Sequence, residues 1–378
     1  MREISFFKAW TDKKEEELLL EALSDNEGKF VNSFETDIKK YFGTKCAVST
    51  NNGAAAIYLA LCALGVKKAN KVICSVNSFP HIAGAICALS ATPVLCDINT
   101  DDFNINVDEF EKILKNGNHK HLKCAFITHI AGKSADMDAI YDIAKKYGIQ
   151  IIDDASRAMG ATYKGKKLGS IKESAISCFQ INPQVKNAVS SAGFFTTNDE
   201  EIAKRAVLLR DNGIISEGFD KSGNITYVYD IEDVGLKYDL NAINAAYAKS
   251  QLKKTAKFIA RRKEIAQIYQ NELCDTPHIT LPVGNDEHIY SQYIIKVDKN
   301  RDDFAREMIK NGINVSLHYI PIHLLSYYKK KYGYKVNEFP NALKVYQQIL
   351  SLPIYAALSD DEVYYICKKI KEIAVNRV

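Results

Sequence analysis

The chain has 378 residues, 47% of them hydrophobic and 25% charged, a composition typical of a globular protein with more than one domain. The formal net charge of +4 is spread over short alternating runs, so we expect no nucleic-acid partner. No run of about 18 uncharged apolar residues is present, so we expect no membrane-spanning helix. Nine cysteines without a CxxC pair, several inside apolar runs, favour reduced, buried thiols and a cytoplasmic location.

From about residue 46 onward, short apolar segments alternate with amphipathic ones. Strands are predicted in CAVST, KVICSV, TPVLCDI, CAFITHI and QIIDDAS, with helices between them. Strands that are apolar along their whole length predict a parallel or mixed sheet covered by helices on both faces. Ligands of such sheets bind beyond the carboxyl ends of the strands, so the residues at those ends are the candidate site residues.

The second half of the chain has a different pattern of predicted elements. A helix predicted at 241–273 is long enough to link two domains. Beyond it, HIYSQYIIKVD and INVSLHYI predict strands, and SDDEVYYICKKIKEIA predicts a helix with Ser359 as its N-cap. Residues 214–234 predict a hairpin or an extended excursion. We therefore expect a large α/β domain at 1–250 and a small α+β domain at 251–378.

Two of the strand ends carry residues that suit a charged ligand: one offers carboxylates, and the other offers backbone N–H groups. IIDDAS ends in Asp153 and Asp154, and a desolvated carboxylate is costly, so one of them faces a ligand or caps the next turn. In STNNGAAAIYLAL, a strand runs into a helix through Asn52, Gly53 and Ala54. The unbonded N–H groups at such a helix start suit a phosphate.

Two further residues suit an aromatic, carbonyl-bearing ligand. Phe79 follows the strand KVICSV and suits stacking on a flat ring, with core packing as the alternative. CFQINPQVKNAVSSAGFF places Lys186 in an irregular loop between two strands, because Pro183 and Gly193 interrupt regular structure. A lysine near phosphate donors and a buried acid suits Schiff-base chemistry, whereas a solvated loop lysine is the alternative.

Eight segments, in order over nearly the whole chain, resemble the DegT/DnrJ/EryC1/StrS sugar aminotransferases, a branch of the fold type I pyridoxal-phosphate enzymes. They include FVNSFETDIKKYFGTKCAVSTNNGAAAIYLAL, SATPVLCDINTDDFNIN, HIAGKSADMDAI, IIDDASRAMGATYKGKKLGS, VGLKYDLNAINAAYAKSQL and GINVSLHYIPIH. The resemblance implies a large α/β domain of the fold type I aminotransferases, with a mostly parallel seven-stranded sheet, and a small C-terminal α+β domain.

The resemblance also implies roles by position. Asp154 would pair with the pyridine nitrogen of pyridoxal 5'-phosphate, and Lys186 would be its covalent anchor; both are the implied catalytic residues. The implied cofactor-binding residues are Asn52, Gly53, Ala54, Phe79, Asp154, Arg157, Gln180, Lys186 and Lys237. The implied substrate-binding residues are His318, Tyr319 and His323.

The implied reaction is transfer of an amino group from glutamate to a nucleotide-linked keto-sugar, with the cofactor passing through pyridoxamine 5'-phosphate. Lys237 lies where the family brings a residue from the neighbouring subunit to the phosphate, which implies a homodimer with shared active sites.

The chain also departs from the family pattern. Arg157 stands where His or Gln is usual, Ala54 where Thr is frequent, and SSAG where an acidic residue is usual. The family's spacing would put the anchor at Val185, one residue before Lys186. Two alternatives therefore stay open: a lysine-deficient, pyridoxamine-dependent sugar dehydratase, or a non-catalytic relative that binds sugar nucleotides.

Overall fold

The computed structural model describes residues 3–116, 121–181, 191–215 and 229–375. Within these ranges the helices, in chain order, are α1 Lys13–Ala22, α2 Lys29–Phe42, α3 Gly53–Ala63, α4 His81–Ala88, α5 Val107–Asn116, α6 Met137–Tyr147, α7 Glu200–Arg210, α8 Ala242–Leu273, α9 Arg301–Lys310, α10 Ser326–Tyr332, α11 Pro340–Gln348 and α12 Asp360–Val375. The strands are β1 Cys46–Thr50, β2 Lys71–Ser75, β3 Thr92–Cys96, β4 Leu122–Thr128, β5 Gln150–Asp154, β6 Thr162–Tyr163, β7 Lys166–Lys167, β8 Ile176–Ile181, β9 Ala192–Thr197, β10 Ile279–Thr280, β11 Tyr293–Val297 and β12 Ile349–Leu352.

The central sheet has seven strands in the order β1-β9-β8-β5-β4-β2-β3. Strand β9 runs antiparallel to both of its neighbours, and the other strand pairs are parallel. The prediction of a mostly parallel seven-stranded sheet is confirmed. The parallel strands end at one edge, so the turns after β1, β2, β5 and β8 meet there.

Helix α3 explains how the sheet is covered next to that edge. Its sequence GAAAIYLALCA is apolar around the whole circumference, and eight of its eleven residues are buried. Such a helix must be enclosed on all sides. It packs against β1, β8 and β9 on one side and against α4 and α7 on the other, and its N-terminus therefore emerges at the carboxyl edge of the sheet.

Helix α8 belongs to two hydrophobic cores. Its first half, with Ala245 and Leu252, packs with residues of the central sheet. Its last turns, with Ile265 and Tyr269, pack with the three-stranded sheet β10-β11-β12 and with α9 and α12. The predicted boundary at residue 250 falls inside this helix and stays a prediction.

One predicted strand is wrong. Residues 313–320, INVSLHYI, form only isolated backbone bridges, from Ile313 to Ile4 and from Ser316 to Ser351. The alternating pattern reflects burial of Ile313 and not a continuous ladder. Pro321, which lacks an N–H group, then turns the chain away from strand pairing.

Other local predictions can be compared directly. Ser359 caps α12 as expected, with its N–H donating to Glu362 Oε2 at 2.9 Å and its Oγ accepting from the Glu362 N–H at 3.3 Å. Ile214 pairs with Ile231 at the ends of the predicted hairpin, whose middle lies outside the described residues.

None of the nine cysteines forms a disulfide. Of the helices within the described ranges, none combines the length and the apolar character needed to cross a bilayer.

Candidate active site

Asp154 ends β5 at the carboxyl edge of the central sheet and is 4% exposed. Its Oδ1 accepts from the Ser156 N–H at 3.2 Å, and its Oδ2 accepts from Thr128 Oγ1 at 3.3 Å. His81 Nε2 lies 3.8 Å from the same Oδ2. These contacts are few and long for a buried carboxylate, which therefore retains acceptor capacity for a further donor.

Asp153 points the other way because successive side chains of a strand alternate between the two faces. Its Oδ2 accepts short hydrogen bonds from Ser174 Oγ at 2.6 Å and Ser177 Oγ at 2.7 Å, and the residue is fully buried. His129 Nε2 lies 3.7 Å from its Oδ1. Asp153 is thus engaged inside the fold through Oδ2, while its Oδ1 has no hydrogen-bond partner among the described residues. Asp154 is the acid that faces the edge.

The turn between β1 and α3 offers unbonded backbone donors. Asn52 is the N-cap of α3, and its Oδ1 accepts from the Ala55 N–H at 2.9 Å. Thr50 Oγ1 donates to the Asn52 carbonyl at 2.8 Å, which fixes the turn. The N–H groups of Gly53 and Ala54 have no acceptor among the described residues. They point from the positive end of the helix, a geometry that suits a phosphate group.

Two glycines let neighbouring strands approach this turn closely. A Cβ atom on Gly53 would lie 2.7 Å from Gln180 Oε1, so the Gln180 side chain lies against the turn. A Cβ atom on Gly193 of β9 would lie 2.2 Å from the Asn52 carbonyl oxygen. In the sheet, Asp154 pairs with Cys178 of β8, and Gln180 lies two residues beyond Cys178. The acid and the turn are therefore separated by about 7 Å along the strand direction.

An aromatic group lies next to His81, whose Nε2 is 3.8 Å from the Asp154 carboxylate. Phe79 follows β2 by four residues and is 51% exposed. Its ring centroid is 5.3 Å from that of His81 and 6.0 Å from that of Tyr319. The Tyr319 N–H donates to Asn77 Oδ1 at 3.2 Å, which ties this residue of the C-terminal half to the end of β2. The exposed face of Phe79 suits stacking on a flat ring.

Arg157 adds a positive charge to this edge. Burial lowers the pKa of His81, the Asp154 carboxylate opposes that shift, and the Arg157 cation adds to it. Burial and the Arg157 cation also lower the pKa of His318 to about 3. His318 is held by a hydrogen bond between its Nδ1 and Ser351 Oγ at 2.8 Å. Both imidazoles are thus neutral at neutral pH, and Arg157 is the cation nearest to them.

The family model of the DegT/DnrJ/EryC1/StrS aminotransferases matches residues 11–371 of the chain. The chain belongs to this family. It is 36% identical over 349 residues to the uncharacterized protein MJ1066 of Methanocaldococcus jannaschii, covering 90% of this chain and 89% of that protein. It is 33% identical over 357 residues to the spore coat polysaccharide biosynthesis protein SpsC of Bacillus subtilis, covering 92% of this chain and 90% of SpsC.

Among solved structures, S. venezuelae DesV in complex with a ketimine intermediate superposes with a TM-score of 0.86 at 27% identity. The match covers 97% of this chain and 95% of DesV. The family, the fold type I architecture and the assignment as an aminotransferase enzyme agree with the sequence analysis.

The predicted site residues Lys237 and His323 of the aminotransferase lie in two different settings. Lys237 is exposed and pairs with Asp211 at 2.7 Å, a bond that raises the pKa of Lys237. His323 is buried, its Nε2–H donates to the Val336 carbonyl at 3.0 Å, and its ring packs on Phe339. The contacts of His323 are those of a structural residue, and its role at the substrate stays a prediction.

Lys186 and Val185 both lie outside the described residues, so the identity of the anchor stays a prediction. The strands on either side of their segment are described. Gln180 of β8 pairs with Gly193 of β9, and both residues lie against the turn at Gly53. The described residues on both sides of this segment therefore lie beside the turn that offers its amides to a phosphate.

The sequence analysis missed His81 and Asn77. His81 begins α4 only two residues after Phe79, at the same edge of the sheet, so its position carried a usable signal. No sequence signal pointed to Asn77, because its contact is with Tyr319, 242 positions away.

Proposed function

We propose that this aminotransferase uses pyridoxal 5'-phosphate to transfer an amino group from glutamate to a nucleotide-linked keto-sugar. Membership of the family supports the reaction class. The name of SpsC, a polysaccharide biosynthesis protein, supports a sugar as the acceptor. The observation that carries the proposal is the meeting of the Asp154 carboxylate, the exposed Phe79 ring and the unbonded amides of Gly53 and Ala54 at one edge of the sheet.

The residues fit this cofactor in size and chemistry. Gly53 and Gly193 allow the Gln180 side chain and strand β9 to pack directly against the turn, which fixes the turn that presents the amides. The Asp154 carboxylate retains an acceptor site about 7 Å from the turn along the strand direction. Ala54 replaces a hydroxyl-bearing residue, so phosphate binding relies on backbone amides more than on side chains.

When bound, pyridoxal phosphate supplies an electron sink and a carrier for the amino group. Each nearby residue then has a stated task. Asp154 holds a proton on the ring nitrogen, because a buried carboxylate favours a cationic partner. Phe79 covers one face of the ring and excludes water from it. Lys186 supplies the amine that binds the cofactor and moves a proton at the reacting carbon.

A homodimer completes the proposal. Val234 is 86% exposed, and Ile231, Leu236 and Ile243 are also exposed, so an apolar surface surrounds Lys237. Exposed apolar patches of this kind mark protein interfaces. A second copy on this surface would place its Lys237 near the phosphate turn of the first.

An absorption spectrum tests the covalent anchor. Adding pyridoxal phosphate to the purified protein is expected to produce the visible band of lysine-bound cofactor, and glutamate is expected to bleach it. Lys186→Ala should abolish the band, whereas Lys172→Ala, a change at an exposed lysine, should keep it. A band that persists in Lys186→Ala, or that never forms, would contradict the proposal. Release of ammonia from a keto-sugar in place of a stable amino-sugar would support the dehydratase.

A further inference from the structure

A cavity of about 90 Å³ lies beside the candidate active site. Ser156 and Arg157 form its wall on the side of Asp154, since the Ser156 N–H donates directly to the Asp154 carboxylate. Helix α8 forms the opposite wall, and residues 7–10 of the N-terminal segment form a third.

The charges of the lining are all of one sign. Lys8, Arg157 and Arg262 contribute to the lining, and no described aspartate or glutamate does. Neither arginine takes part in an ion pair with a described residue. Both arginines are half-buried, and a partly desolvated cation without a counter-ion favours an anionic ligand.

The two arginines are held by different means. Arg157 Nη1 is buried and has no hydrogen-bond partner among the described residues. Arg262 Nε donates to the Ile289 carbonyl at 3.0 Å, which fixes its guanidinium. Burial lowers the pKa of Arg262 to about 10, so the group is still charged at neutral pH. Guanidinium groups bind carboxylates through two parallel hydrogen bonds.

The walls near the arginines are apolar and aromatic. Phe7 packs edge-on against Tyr355 at 5.9 Å, and Trp10 packs against Phe258 at 6.0 Å. A ligand with anionic groups joined by a short hydrocarbon chain satisfies the cations and the apolar walls together. A nucleoside diphosphate, which is larger and more strongly hydrated, matches such walls less well.

We propose that this cavity binds the carboxylate groups of a dicarboxylic amino donor, with Arg157 and Arg262 as their partners. The proposal rests on the proposed aminotransferase function and assigns the residues that select its donor. Arg157, which departs from the usual His or Gln at its position, is then a specificity residue of this enzyme.

The single tryptophan of the chain gives a direct readout, because Trp10 lines the cavity. Glutarate, an unreactive dicarboxylate, is titrated into the purified full-length protein while Trp10 fluorescence is followed. We expect a saturable change. Arg157→Gln and Arg262→Gln should each weaken glutarate binding by about tenfold or more, as expected for loss of one partner of a buried charge pair.

Lys253→Gln is the matched control, since Lys253 is an exposed lysine of the same helix outside the cavity lining. It should bind glutarate as the unchanged protein does. Arg262→Lys keeps the charge and should retain part of the affinity, so it replaces Arg262→Gln if circular dichroism shows that the latter is unfolded.

Three results would overturn the proposal: no saturable change with glutarate, butyrate binding as tightly as glutarate, or a nucleoside diphosphate binding more tightly than glutarate in an arginine-dependent way. The titration needs no cofactor, so it is independent of the absorption test. Glutarate binding without a cofactor band would overturn the proposed function alone. A cofactor band without glutarate binding would overturn the donor site alone.

Discussion

Asp153 and Asp154 show how one residue step separates structural from chemical roles. Both carboxylates are buried at the end of β5, yet Asp153 accepts two short hydroxyl hydrogen bonds and Asp154 accepts only long ones. Short, satisfied bonds stabilise a fold, whereas spare acceptor capacity at a sheet edge is available to a ligand. Substitution of Asp154 should therefore reduce activity, whereas substitution of Asp153 should reduce stability.

Asp154→Asn should reduce the rate at which glutamate bleaches the cofactor band by about 100-fold or more, because an amide cannot keep the ring nitrogen protonated. Stopped-flow absorbance on a single turnover measures this rate. The thermal midpoint should change little, since the hydrogen bonds lost are long. An Asp154→Asn enzyme that bleaches at the normal rate would remove this residue from the mechanism.

Asp153→Ala should instead lower the free energy of unfolding by about 3 kcal/mol, because it leaves the buried Ser174 and Ser177 hydroxyls without their acceptor. Urea denaturation followed by circular dichroism measures the change. The cofactor band of the folded fraction should be retained. Loss of the band in a fully folded Asp153→Ala protein would contradict the structural role.

At the scale of elements, the site depends on how closely strands approach the turn between β1 and α3. Gly193 pairs with Thr50 in the sheet, and its missing side chain leaves room for the Asn52 carbonyl. The turn presents its amides because α3 begins immediately after it. Any group that pushes β9 away from the turn should therefore disturb phosphate binding.

Gly193→Ala introduces a Cβ atom 2.2 Å from one backbone atom and 2.6 Å from another, and backbone cannot rotate out of the way. We expect it to lower the free energy of unfolding by about 1–3 kcal/mol and to weaken cofactor binding at least severalfold. Gly84→Ala is the control. Its Cβ atom would meet only Tyr328 Oη, at 3.8 Å, within helix α4. This change should be neutral or stabilise by about 0.5–1 kcal/mol. Equal cofactor affinity in both variants would contradict the close-approach argument.

In the molecule as a whole, the apolar side chains near Lys237 in sequence are exposed to solvent. Val234 and Leu236 lie on the surface of a chain whose other apolar residues are mostly enclosed. Covering such residues is favourable by about 25 cal/mol for each Å² removed from water. The proposed homodimer would cover these residues and bring Lys237 to the interface.

The protein is therefore expected to sediment as a dimer. Combining Val234→Asp with Leu236→Asp should shift it toward a monomer, because charges would be buried without partners at the interface. Analytical ultracentrifugation over a range of concentrations measures the shift. Val283→Asp, at an exposed valine far along the chain from this surface, should leave the dimer intact. A monomeric unchanged protein would contradict the proposed assembly.

Sequence patterns were enough to predict the central sheet, the helix start at Asn52 and the acid at the end of β5. These features depend on local patterns: whole-strand apolarity, a capping side chain and a carboxylate after a buried run. The strand predicted at INVSLHYI failed because its partners, Ile4 and Ser351, are remote and pair only singly.

Three features depend on contacts between distant parts of the chain: which of the two acids faces the edge, the presence of His81 and Asn77 at the site, and the cavity lined by Arg157 and Arg262. Asp153 is distinguished from Asp154 by hydroxyls 21 and 24 residues away. The two arginines are more than 100 residues apart in sequence and meet only because α8 packs beside the turn after β5. Local patterns fix each element, but which side chains come together is set by the packing of elements that are distant in the chain.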